Sequence, residues 1–184
     1  MKESHMNIDD KDIFRMMQKD QEKGFRMIMT KFGEPIYWHI RRLVVSHDDA
    51  QDAEQNTFVK VFRSFDKLKD PNALTAWIYR IATNEVMTML KRNEQPNNIF
   101  ESISERNVDI AAEQYIDFSD LEAVKLQKAI LSLPPKQQLA FNLRYYDEMD
   151  YSLIAEVSGT SISTAKVNYH LAKEKIIRFM NSND

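Results

Sequence analysis

Cysteine is absent from the 184-residue chain. That excludes disulfides and thiolate metal sites and fits a reducing, cytoplasmic setting. Glycine is nearly absent too: three glycines and five prolines stand beside ten methionines. Such a balance favours long helices over tight turns, and methionine suits adaptable contact surfaces. No run of about eighteen apolar residues occurs, so no membrane insertion is expected. The opening MKESHMNIDDKD is charged and lacks the apolar stretch of a signal peptide. A phosphate-binding glycine loop is missing, and His5, His39, His47 and His170 are scattered. No catalytic constellation, cofactor or metal site is expected. His47-Asp48-Asp49 carries ligand chemistry, but three neighbours on a helix point in different directions. His39, beside Trp38 and Arg41, reads as ordinary helix surface.

Charge is scarce only as a sum. The net value of −3 is unhelpful for binding nucleic acid, yet its distribution is uneven. Lys60–Arg92 holds Lys60, Arg63, Lys67, Lys69, Arg80, Lys91 and Arg92 against Asp66, Asp70 and Glu85. From Glu94 to Glu122 the acids recur with only Arg106 against them, and Lys166–Arg178 is basic again. Any one of these windows is also compatible with an ordinary solvated helix face.

What is present in abundance is helical periodicity, with no strand alternation. Ile13, Phe14 and Met17, then Phe25, Ile28, Met29 and Phe32, recur at three-and-four spacing. Gly33 and Pro35 are expected to interrupt before Ile36, Tyr37, Ile40, Leu43 and Val44 resume. Ser46-His47-Asp48-Asp49 has the form of a helix start with acids in its first turn. The helix that follows would turn Ala50, Ala53, Thr57, Phe58, Val61, Phe62 and Phe65 inward, until Asp70-Pro71-Asn72 breaks it. Ala73–Arg92 is the next helix. NEQPNN (93–98) marks a boundary, and the acidic stretch after it reads as a flexible linker. The expectation is an all-α protein of two small helical domains, 10–92 and 120–180, joined by a linker over 93–119.

Within the second domain Leu133-Pro134-Pro135 forms a hinge before a helix through Leu139, Phe141, Leu143 and Tyr145. Then comes a helix-turn-helix: a short helix over Tyr151–Val157, a turn at Gly159, Ser161 as N-cap and a longer helix beyond. In that last helix Ala165, Tyr169, Ala172 and Ile176 share the inward stripe. Ser163, Lys166, Val167 and His170 face outward. Ser161 and Ser163 can hold phosphate with the free amides of the helix start. Lys166 and His170 can donate to base edges, and Val167 offers apolar contact to a thymine methyl. Lys173 and Lys175 suit phosphates.

Two other stripes carry chemistry. Asp49, Asp52, Gln55 and Asn56 share one polar face, offering carboxylates and amides to a partner, although acids at a helix start also stabilise it unaided. Helix Ala73–Arg92 sets Leu74, Trp77, Ile78, Ile81 and Met89 on an apolar stripe, where Trp77 belongs to the core. Arg80, Thr83, Asn84, Met87 and Lys91 share the other side. An amide among cations suits a single strand: cations hold phosphate and the amide reads a base edge. Tyr79 is compatible with either side.

Asp49–Phe58 (DAQDAEQNTF), Trp77–Asn84 (WIYRIATN), Leu133–Gln138 (LPPKQQ) and the helix-turn-helix segments DYSLIA and STAKV follow one another along the chain. In this order they resemble a bacterial sigma factor of the extracytoplasmic-function group, in the sigma-70 family. The resemblance covers nearly the whole chain. It implies an alternative sigma factor that binds core RNA polymerase and directs promoter-specific initiation, with no enzymatic activity. Asp49, Asp52, Gln55 and Asn56 would meet the polymerase clamp helices, and the second domain its flap. Arg80, Thr83, Asn84, Met87, Lys91 and Arg92 would read the melted non-template strand of the minus-ten element, with Asn84 and the 92–98 loop around an extruded base. Ser161, Ser163, Lys166, Val167, His170 and Lys173 would read the duplex minus-thirty-five element. An anti-sigma protein is a further implied partner. Two other readings remain: a conventional helix-turn-helix regulator with an N-terminal sensor, binding duplex DNA without polymerase, and a helical scaffold for another regulator.

Overall fold

The structure is a computed structural model that describes residues 8–44, 46–93 and 121–182, with only the backbone of residues 92 and 93. The stretch read as a linker lies, beyond residue 93, outside the described residues. Among the described residues the chain is all-α. Its helices are α1 (Asp10–Lys19), α2 (Gln21–Arg41), α3 (His47–Ser64), α4 (Leu74–Asn93), α5 (Leu121–Leu131), α6 (Pro135–Tyr145), α7 (Tyr151–Ser158) and α8 (Ile162–Asn181). Single 3₁₀ turns at Phe65–Lys67 and Pro71–Ala73 carry the chain from α3 to α4.

Local chemistry sets most helix ends. Asp20 closes α1 and opens α2, accepting from the Lys23 N–H at 3.0 Å. Ser46 caps α3 through the Asp49 N–H, and Asp70 caps the turn at Pro71 through the Asn72 N–H. Pro135 is the first residue of α6, where a missing N–H costs nothing. The Leu133-Pro134-Pro135 hinge is therefore a helix start.

The expected interruption at Gly33 and Pro35 does not occur; α2 runs through both. A proline inside a helix costs about 3 kcal/mol. Burial outweighs it, because Ile28, Phe32, Ile36 and Ile40 are all buried along one face of α2, each contributing roughly 1.5–3 kcal/mol. A second departure is Phe62. Ala50, Ala53, Thr57, Phe58, Val61 and Phe65 are buried as expected, but Phe62 is 38% exposed. It sits on the flank of α3, with its ring edge-on to Phe25 at 5.1 Å.

Helices α1–α4 form one group and α5–α8 another, and the two are packed together. Ile40, Tyr79, Ala82 and Val86 of the first group share a continuous buried cluster with Leu143, Met149, Ile154 and Ala155 of the second. A smaller cluster of Ala129, Ile130, Leu133, Phe141, Ala172 and Ile176 unites α5, α6 and α8. No described helix is long and apolar enough to cross a membrane.

Candidate nucleic-acid interface

The helix-turn-helix is built by three caps in succession. Asp150 accepts from the Leu153 N–H at 2.8 Å and from the Ser152 hydroxyl at 2.7 Å. These bonds, the backbone one foremost, hold its carboxyl below the usual range. Gly159 ends α7 in the left-handed region at φ 63°, with its N–H on the Ala155 carbonyl, a conformation that suits glycine. Ser161 starts α8, its hydroxyl accepting from the Thr164 N–H at 3.1 Å. Ala165, Ala172 and Ile176 are buried and Tyr169 half-buried. Ser161, Ser163, Lys166, Val167, His170 and Lys173 are all exposed on α8 or at its start. The Lys166 ammonium lies over the Tyr151 ring, 5.7 Å from its centroid.

Helix α4 departs in part from its expected faces. Leu74 and Ile78 are buried, and Trp77 is half-buried with its ring edge-on to Phe65. Arg80, Asn84 and Lys91 are exposed and Met87 is half-buried. Thr83 is not on the open face: it is 5% exposed, and its hydroxyl bonds His39 Nε2 at 3.0 Å. Tyr79 and Val86 are buried as well. The reason is that α4 has neighbours on two sides, α3 on one and α7 on the other, so its buried arc is wider than a surface helix needs. The side chain of Arg92 lies outside the described residues.

His39 also departs from expectation. It is fully buried, its ring edge-on to Tyr79 at 5.0 Å, and its Nδ1 stands 3.4 Å from a carboxylate oxygen of Asp147. The other oxygen of Asp147 accepts from Arg42 Nη1 at 3.0 Å. Nothing local marks this site, because its partners come from opposite ends of the chain. Burial, followed by the nearby Asp147 charge, drives the Tyr79 hydroxyl well above the ordinary phenol range.

The third expected site lies on α3. Asp52, Gln55 and Asn56 are exposed and Asp49 is half-buried. Beside them runs a groove of about 710 Å³ between α2 and α3, lined by Phe25, Met29, Gln51, Glu54, Gln55, Phe58, Val59, Phe62 and Arg63. Burial raises the Glu54 carboxyl. The apolar part of this face was missed from sequence because Met29 and Phe62 fit the inward periodicity of their helices. A signal was available in Val59, an apolar residue off that stripe. His47, considered as a ligand, bonds the Tyr37 hydroxyl at 2.8 Å through Nδ1.

A family model for sigma-70 region 2 matches residues 28–95, and one for sigma-70 region 4 matches residues 123–176. The chain belongs to the sigma-70 family, in its extracytoplasmic-function group. It is 24% identical to the ECF RNA polymerase sigma-E factor of Salmonella typhimurium over 178 residues, 92% of this chain and 93% of that protein. Its fold is similar to that of CnrH, solved in complex with the cytosolic domain of CnrY: TM-score 0.71, 17% identity, 96% of this chain and 100% of that one. It is also similar to the sigma factor RpoE, solved with the anti-sigma factor NepR from Bartonella quintana: TM-score 0.64, 20% identity, 90% and 99% coverage. As a sigma factor the protein binds core RNA polymerase and promoter DNA and directs promoter-specific transcription. A stand-alone regulator is set aside, since both matched regions belong to polymerase-bound initiation factors.

Proposed function

We propose that the two helical groups divide the work of initiation, residues 10–92 docking on polymerase and reading the minus-ten element, residues 120–180 reading the minus-thirty-five element. The observation that carries this is the separation of three exposed faces: an apolar groove with carboxylates and amides on α2 and α3, a cationic and amide face on α4, and a basic face at the start of α8. Asp49, Asp52, Gln55 and Asn56, with the groove between Met29 and Phe62, meet the clamp helices of polymerase. Their carboxylates pair with partner cations, and their apolar neighbours supply the anchors. Arg80, Asn84, Met87, Lys91 and Arg92 take the melted strand, the cations on phosphate and Asn84 on a base edge. Ser161, Ser163, Lys166, Val167, His170 and Lys173 enter the duplex major groove. The second group also meets the flap, and 93–119 links the two.

The protein works in the cytoplasm and has no reaction of its own. An anti-sigma protein is a proposed partner, because the solved RpoE from Bartonella quintana is in complex with one. The experiment is run-off transcription from fragmented genomic DNA with core polymerase, with and without the protein. New starts sharing two spaced upstream elements are expected. Asp52→Arg with Gln55→Ala is expected to weaken polymerase capture. Asn84→Ala is expected to retain capture and lose permanganate reactivity in the minus-ten region. Equal reactivity would move the base-reading site off Asn84.

A further inference from the structure

We propose that Leu171 is a further specificity-determining residue of α8, and that Val167 and Leu171 together select an upstream element carrying two closely spaced thymines through the C5-methyl groups of those bases. The inference rests on the minus-thirty-five reading of α8 given above.

Two apolar side chains interrupt the polar outer face of α8. Val167 is 55% exposed and Leu171 40%. A single apolar side chain at a surface needs no explanation. These two stand four residues apart, so they are neighbours on the helix surface, and they point away from the buried Ala165, Ala172 and Ile176. With about 3.6 residues per turn, Lys166 and Lys173 fall on one flank of the pair and Lys175 on the other, all three exposed. Toward the helix start the same line reaches the exposed Ser163. Toward the helix end it reaches Glu174, whose carboxylate pairs with Arg178 at 3.5 Å.

Cations on both flanks suit the two phosphate backbones that border a major groove, so the neighbour of this apolar pair is duplex DNA. The middle of the face then lies over base edges. Thymine alone presents a methyl group there; the other bases offer only donors and acceptors. Valine and leucine laid on those would strip them of water and give no hydrogen bond in return, which is costly. Laid on methyl groups, they bury apolar surface on both sides. Val167 and Leu171 are about 6 Å apart along the helix axis, against about 3.4 Å per base-pair step, so the two methyls belong to base pairs one or two steps apart. Phosphate repels the Glu174 carboxylate, so the part of α8 that enters the groove ends near Leu171.

The probe is a duplex promoter fragment recovered by the run-off experiment, synthesised with uracil in place of each thymine of its upstream element in turn. Uracil pairs as thymine does and lacks only the methyl. Holoenzyme assembled from core polymerase and the full-length chain is titrated on each duplex. Uracil is expected to weaken binding about fourfold at each of two positions, the value of one buried methyl. Leu171→Ala should bind thymine and uracil equally at one of these positions and keep its preference at the other, and Val167→Ala should do the converse. Both side chains are exposed, and a general loss of stability leaves the thymine-to-uracil ratio unmoved. Equal binding of all the duplexes would overturn the proposal, as would an upstream element without two such thymines. So would a uracil effect that Leu171→Ala keeps at every position, which would belong to the stiffness of the duplex. Failure of the underlying reading has a different signature. Run-off without new starts, or a nuclease footprint that leaves the upstream element bare, removes the minus-thirty-five role of α8 itself. Protection of the element without preference for thymine removes the methyl contact alone.

Discussion

Tyr79 illustrates how burial assigns a side chain that periodicity leaves open. It is 6% exposed, and low polarity with the Asp147 carboxylate nearby raises its folded-state pKa above the ordinary value of about 10. The stability linked to Tyr79 is therefore whole below pH 10 and is lost as pH rises through the folded value. In an alkaline absorbance titration, one tyrosine should ionise only together with unfolding, and Tyr79→Phe should remove that step. Ionisation of every tyrosine ahead of unfolding would contradict the assignment. Asp150 behaves in the opposite sense. Its bonds to the Leu153 N–H and the Ser152 hydroxyl lower its pKa, so its contribution is whole above about pH 4 and is lost as pH falls through the folded value. Carboxyl NMR should report a midpoint below the ordinary one, and Asp150→Ala should return the Leu153 amide to rapid exchange.

The three glycines of the chain sit in three different settings, and alanine at each should give a different result in urea unfolding. At Gly24 an added Cβ would lie 2.5 Å from the backbone nitrogen of Met17, where α1 crosses α2. The Gly24→Ala change should cost about 1–3 kcal/mol, as overpacking does. Gly159→Ala meets open space but keeps φ 63°, and should cost about 1–2 kcal/mol through left-handed strain. Gly33 has negative φ inside α2 and nothing within 4 Å of an added Cβ, so Gly33→Ala should stabilise by about 0.5–1 kcal/mol. Equal effects at all three would refute these distinctions. The same contrast explains what could be read in advance. Ser46, Asp150, Gly159 and Ser161 act on their own helix ends, so local sequence carried their roles. Pro35 is tolerated because of the burial of Ile28, Phe32, Ile36 and Ile40 along α2. Phe62 is exposed because, among the described residues, no helix covers its flank of α3. Neither fact has a local signature.

The buried cluster that runs from Ile40 and Val86 to Leu143 and Ile154 makes the two helical groups partners in folding. Calorimetry should give one transition with equal calorimetric and van't Hoff enthalpies. Two resolved transitions would mean that the shared core contributes little. The faces of α8 and α3 were legible from helical spacing, because they are solvent-facing stripes on single helices. Thr83 and His39 were misplaced because their burial depends on α6, α7 and residue 147, far along the chain. The shared core also decides what a break in the backbone can do. A chain cut between residues 94 and 120 should still migrate as one species, held by the contact of Ile40 and Val86 with Leu143 and Ile154, and should part into two fragments only in denaturant.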